Sequence, residues 1–373
     1  MSKEMMSEEK KKIKWLYPLF IGILVLIVIL ATIILLPRKS YVEVKKTSII
    51  ASNYDFISEH WKEEKLFALR EAENYKDLEA VNQFDMYLKL CHWTHSQWKH
   101  SVPDPYPLSN AIDILRDIRS GKTGGFCGQY SYVLADVLKS MGFFAVRYVE
   151  LWSNENKSHF VVEAWLDSHR KWVVLDADED IYYEDAATKV PLNAYEIRQG
   201  LFGDSKRDVV ARSTVAPHEK LGPKKIELYA NFAVSLRSDL MRHTKPLSVQ
   251  DRFLMFLFYK DQYTNEQFLG AGAKIPYVHV TSRLEDVYYD RNWARVEYEL
   301  ADNGRSVTLT FFNDESMPNF KGFAVSADNG KTWDRIQGNS FKVKEEDNIS
   351  TVLVAPVNMF DRFGCVNEIS VSL

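Results

Sequence analysis

The spacing of apolar positions divides this chain into segments of different character. Residues 15–37 (WLYPLFIGILVLIVILATIILLP) carry no charge and lie between Lys14 and Arg38. At a rise of ~1.5 Å per residue they cover roughly 30 Å, the thickness of a bilayer core. A cleaved leader would be shorter in its apolar part and end in a small-x-small site, and Ala31 has no small partner at Val28 or Ile29. The expectation is an uncleaved transmembrane helix behind a cytoplasmic tail, 1–14, with Trp15 and Tyr17 at an interface. Lysines precede the span and Lys or Arg follow it in near balance, so the positive-inside rule is almost tied; the large part is placed outside the cytoplasm. Residues 38–75 read as a polar stem with helical character.

From Asp77 to His100 the apolar residues Phe84, Tyr87, Leu88, Cys91 and Trp98 recur at helical spacing. A proline-broken loop, 102–110, ends in Ser109 or Asn110, either of which can cap a helix running to about Arg119. A second helical pattern runs from Cys127 to Met141, through Tyr130, Val133, Leu134, Val137 and Leu138, and Gly142 closes it. Three strand-like runs follow, 143–152, 159–166 and 171–178, the last two joined by the hairpin signal DSHR. Residues 193–275 read as helical or irregular, with FLMFLFY (253–259) as core rather than a membrane span. After Tyr277 short strands recur at regular spacing with turns such as DNG between them, the pattern of a small β-sandwich. The division is therefore 1–14 tail, 15–37 transmembrane helix, 38–75 stem, 76–215 first domain, 216–276 connection and 277–373 sandwich.

Composition narrows the functions. There are 47 Lys+Arg against 51 Asp+Glu in 373 residues. No basic excess or stripe is present, so nucleic acid is not an expected partner. Three cysteines make neither a disulfide framework nor a Cys-x-x-Cys zinc site. His92, His95 and His100 have no carboxylate at ligand spacing, and no metal is expected there. Gly121-Lys122-Thr123 is not a phosphate loop, because Arg116 stands where the earlier glycine is required.

The candidate chemistry begins at Cys127. It follows Gly124-Gly125-Phe126 and opens a helix, where backbone amides favour thiolate over thiol. A base is supplied by His159 at the start of a strand. If DSHR is a four-residue loop, Leu166 pairs with Lys171, and counting back sets Val161 opposite Asp176 and His159 opposite Asp178. His159 and Asp176 then share one sheet face as diagonal neighbours. A five-residue loop would send Asp176 to the other face. Asp178 competes for the orienting role; Asp176 is favoured because it lies within the apolar run VVLD.

Three stretches together, GGFCGQYSYVLADVLKSMGFFAVRYVEL (124–151), SHFVVEAWLDSHRKWVVLDAD (158–178) and WTHSQWKH (93–100), resemble the transglutaminase-like superfamily, relatives of the papain-like cysteine proteases, and more narrowly its bacterial membrane-anchored members. The resemblance covers about residues 76–200. It implies an α+β fold with a papain-like core, joined here to an N-terminal transmembrane helix and a C-terminal immunoglobulin- or fibronectin-like all-β sandwich. It implies a triad of Cys127 as nucleophile, His159 as general base and acid, and Asp176 as orienting carboxylate. No cofactor or metal is implied. The upstream glutamine that papain-like relatives use as second oxyanion donor is missing, which leaves Gln97 and Trp98 as alternatives. The expected partner is a protein or peptide substrate at the cell surface, and the reaction is amide hydrolysis or acyl transfer. The alternative is a scaffold or surface-binding protein whose triad is idle. SADNGKTW (326–333) resembles an Asp-box hairpin, read as a folding device.

Overall fold

The computed structural model describes Pro18 and residues 20–27, 40–46, 48–203, 207–222, 225–243, 245–269 and 277–373. Within the expected span 15–37, residues 20–27 are helical, and Phe20 to Ile27 expose their large apolar side chains. The remainder of that segment, apart from Pro18, and the tail 1–14 lie outside the described residues. No helix among the described residues is long and apolar enough to cross a membrane.

The chain enters through strand β1 (Tyr41–Val44), followed by four helices, α1 (Glu64–Ala72), α2 (Gln83–His95), α3 (Ala111–Arg119) and α4 (Cys127–Ser140). Strands β2 (Val146–Trp152), β3 (Ser158–Leu166), β4 (Lys171–Asp176) and β5 (Ile181–Asp185) come next. Then follow α5 (Ala194–Phe202), β6 (Val209–Ser213), β7 (Asn231–Ser235), α6 (Val249–Met255), β8 (Phe256–Tyr259), β9 (His279–Thr281) and α7 (Leu284–Val287). Strands β2 to β9 form one eight-stranded sheet in the order β6-β5-β4-β3-β2-β7-β8-β9. Its central strands are buried on both faces. Phe160, Val162 and Val173 join the core under the helices, while Val161, Val174 and Tyr183 join a second core with Ile197 of α5. A strand covered on both sides shows no polar alternation.

Local signals place the helices. Asn82 and Asn110 accept the Asp85 and Asp113 amides, capping α2 and α3. Helix α4 is buried nearly all round; its Asp136 and Lys139, both without solvent exposure, pair at 2.8 Å. It ends at Gly142, whose φ of +88° lets the Phe143 amide return to the Leu138 carbonyl. A side chain at Gly142 would also strike Phe360 of the sandwich at 2.7 Å.

The remaining strands are β10 (Arg295–Ala301), β11 (Ser306–Phe312), β12 (Phe320–Ser326), β13 (Asp334–Arg335), β14 (Ser340–Lys344), β15 (Thr351–Asn358) and β16 (Asn367–Ser372). They make a three-stranded sheet, β10-β11-β14, against a five-stranded sheet, β1-β16-β15-β12-β13. Leu309 and Phe311 of the first meet Phe323, Val354 and Ile369 of the second in a dry interior. In the Asp-box stretch, Asp328 accepts from Ser326 Oγ and from the Thr332 amide and hydroxyl, and Gly330 takes φ +83°. These bonds hold the Asp328 carboxyl down at about 2, and they stabilise a hairpin.

Two segments differ from the reading of the sequence. Residues 38–75 do not form a free stem: β1 pairs with β16, from Tyr41 with Ser372 to Val44 with Ile369, and the Ile57 amide bonds Leu236 O. A four-residue strand whose partner lies at the far end of the chain carries no local signature. The connection 216–276 likewise supplies β7 and β8 to the central sheet. NFAVS and FLFY are short apolar runs buried on both faces, which periodicity does not separate from helix.

Candidate active site

The glycine loop before α4 is packed against Trp98. A side chain at Gly125 would stand 2.7 Å from Trp98 Nε1 and 2.6 Å from Ile118 Cδ1, so only glycine fits. The indole donates to Gly125 O at 3.2 Å and stacks on Tyr130, ring centroids 4.2 Å apart. Gln129 Oε1 accepts the Phe126 amide at 3.2 Å. These contacts fix the first turn of α4, and Cys127, its first residue, is partly exposed.

The β3–β4 hairpin has the four-residue register. Leu166 pairs with Lys171 and Val162 with Leu175. His159 and Asp176 therefore fall on one face as diagonal neighbours, and His159 Nε2 lies 2.7 Å from Asp176 Oδ2. Both side chains are buried, 3% and 1% exposed. Asp176 Oδ1 accepts the Glu179 amide at 3.2 Å, which turns the carboxylate towards the ring. With Nε2 held, Nδ1 is the nitrogen left for the sulfur. Cys127 Sγ, a His159 ring nitrogen and an Asp178 carboxylate oxygen all lie within 4.8 Å of one another. The structure thus brings together Cys127, His159 and Asp176, and adds Asp178 as a fourth member.

Burial alone would lower the His159 pKa. The Asp176 carboxylate, and after it the Cys127 sulfur, outweigh burial and raise it from the ordinary 6.5 to about 10. The imidazole is therefore a cation at neutral pH. Because the folded value is the higher one, its contribution to stability is complete below about pH 6.5 and is lost as pH rises through about 10. The thermal midpoint of the wild type is expected to fall across that window. Asp176→Asn should flatten the fall by removing the main cause of the shift. Melting curves of both proteins across the window check this; parallel pH profiles would count against it.

His92, His95 and His100 act together. His92 Nδ1 pairs with Asp180 at 2.8 Å, His95 Nδ1 with Ala177 O at 3.0 Å and His100 Nδ1 with Asp178 Oδ1 at 2.6 Å. All three hold the turn after β4 that carries Asp176 and Asp178. His92 and His95 are three apart on α2 and so share a face. That spacing was the available signal, but their partners are close only in the folded chain. Neither alternative for the second oxyanion donor is free: Trp98 Nε1 serves Gly125 O, and Gln97 Nε2 donates to Trp93 O at 2.7 Å. Gln129 Nε2, fully buried two residues after Cys127, has no hydrogen-bond partner among the described residues.

A helix-start cysteine facing a histidine that a carboxylate on the next strand orients defines a cysteine-enzyme type of site. Residues 74–177 match the family model of the transglutaminase-like superfamily, so the chain carries a domain of that superfamily, whose members are typically cysteine-dependent acyltransferases or proteases. No curated protein matches the chain significantly.

Proposed function

We propose that this chain is a membrane-tethered cysteine enzyme, anchored through residues 15–37 with its globular part outside the cytoplasm. It acts on amide bonds of a protein or peptide substrate by hydrolysis or acyl transfer. The observation that carries the reading is the His159 imidazole bound to Asp176 with the Cys127 sulfur within 4.8 Å of a ring nitrogen.

The chemistry follows from the positions. Cys127 Sγ attacks the amide carbonyl carbon, and the oxygen takes up negative charge near the α4 N-terminus, where the Cys127 amide can donate. His159 Nδ1 gives its proton to the departing amine as the C–N bond breaks, which leaves a thioester on Cys127. Water or a second amine then attacks the thioester carbonyl. His159 takes its proton, and the C–S bond breaks to restore the thiolate–imidazolium pair. Asp176 keeps the ring in one orientation throughout and stabilises its charged form.

Iodoacetamide labelling at pH 6 tests the nucleophile without a known substrate. Cys91 and Cys365 are buried and serve as internal controls. Cys127 is expected to label at least ~10-fold faster than a free thiol, because alkylation requires thiolate and an imidazolium stabilises it. A rate no faster than the free thiol would leave only the idle scaffold.

A further inference from the structure

Asp178 has a carboxylate oxygen that the acyl chemistry does not use. Its side chain is 2% exposed, Oδ1 is bound to His100, and Oδ2 has no hydrogen-bond partner among the described residues. Lys225 Nζ stands 3.9 Å from Oδ2, and that ammonium is engaged at 2.5 Å by Glu179. A buried carboxylate oxygen left without a donor is costly, and here the Asp178 carboxylate lies within 4.8 Å of both the Cys127 sulfur and a His159 nitrogen.

We propose that Cys127 Sγ, His159 Nδ1 and Asp178 Oδ2 form a three-ligand site for Zn²⁺ that reversibly blocks the nucleophile. Thiolate, imidazole and carboxylate are the ligands zinc takes, and three protein ligands with one open position is a common arrangement. Ligand atoms around tetrahedral zinc stand roughly 3.3–3.8 Å apart, so side-chain movements of about 1 Å close the site. The surroundings are already those of a metal centre. A metal-bound histidine normally donates its other ring nitrogen to a carboxylate, and His159 Nε2 faces Asp176; a ligating carboxylate is normally hydrogen-bonded, and Asp178 Oδ1 faces His100. Cys127 is partly exposed, which gives an entry path. On binding, the sulfur and Nδ1 each give a lone pair to the metal, and the Nδ1 proton leaves to solvent. The same two lone pairs are then denied to the substrate.

The inference concerns the residues of the proposed enzyme, but its test reads metal binding and needs no turnover. Calorimetric titration of the untagged full chain with ZnCl₂ in thiol-free buffer is expected to give one tight site. Asp178→Asn is expected to weaken it at least ~10-fold. Lys225→Met, which removes the competing ammonium, is expected to tighten it about 3-fold. Co²⁺ should give a thiolate charge-transfer band that Cys127→Ala abolishes. Equal zinc affinity in the wild type and Asp178→Asn overturns the proposal, as does a site that survives Cys127→Ala. If Asp178→Asn does not fold, Lys225→Met decides: an affinity that does not rise overturns the proposal. Fast labelling of Cys127 without a zinc site would leave the acyl-transfer reading standing; a zinc site in a chain that labels slowly would leave this one.

Discussion

Cys127→Ser is expected to lower amide or ester turnover by a factor on the order of 10⁴–10⁶, to the level of binding and oxyanion stabilisation alone. Serine keeps the position but not the reactivity. The His159 imidazolium is a poor partner for a hydroxyl, which needs a neutral base to take its proton. His159→Ala is expected to cost a similar factor, and the double variant no more than either alone, because nucleophile and base act as one unit. An activated aryl ester as acyl donor makes the measurement possible before the natural substrate is known. Cys127 is only partly buried, so Cys127→Ser should stay within about 0.5 kcal/mol of the wild type in unfolding experiments, which separates lost chemistry from lost fold. Turnover within tenfold of the wild type in Cys127→Ser would move the nucleophile elsewhere.

The legible parts of this site were those fixed by local rules. The DSHR loop sets the β3–β4 register, and the two-residue period of a strand then decides that His159 and Asp176 meet. Glycines followed by a helical repeat place Cys127 at a helix start. The rest depends on contacts between distant segments. Strand parity puts both Asp176 and Asp178 on the face of the imidazole and the apolar run VVLD favours Asp176, but the role left to Asp178 depends on His100, 78 residues earlier. Gln97 and Trp98 looked equally able to stabilise an oxyanion, and both are spent on backbone carbonyls whose positions no spacing reveals. Strands β1, β7 and β8 were missed for two reasons: the first is short and pairs with the last strand, and the others are buried on every side.

Behind the site, the sheet depends on one buried charge pair, and breaking it is expected to have the largest effect on stability. Arg147 of β2 and Glu163 of β3 are direct cross-strand partners without solvent exposure. Arg147 Nε and Nη2 reach Glu163 Oε2 at 2.9 and 2.6 Å, and Nη1 donates to Val287 O at 2.5 Å. Glu163 Oε1 accepts the Ala194 amide at the start of α5 and the Tyr288 hydroxyl, at 2.8 and 3.1 Å. The guanidinium also lies 4.1 Å from the Trp172 ring centroid. Each nitrogen of Arg147 and each carboxylate oxygen of Glu163 is therefore engaged, and the pair ties β2 and β3 to α5 and α7. Arg147→Met leaves Glu163 buried without its cation, which costs about 3–5 kcal/mol. Arg147→Met with Glu163→Met removes both charges, and most of that loss should return, because the penalty lies in the unpaired ion rather than in the missing attraction. Urea unfolding followed by tryptophan fluorescence reads the transition, and the double-mutant cycle isolates the coupling. A single-variant loss below ~1 kcal/mol would mean that water or a rearranged neighbour reaches Glu163. His159 lies four residues before Glu163 on the same strand, so the Cys127 labelling rate should fall in Arg147→Met and recover with the second substitution if this pair also holds the register of the imidazole.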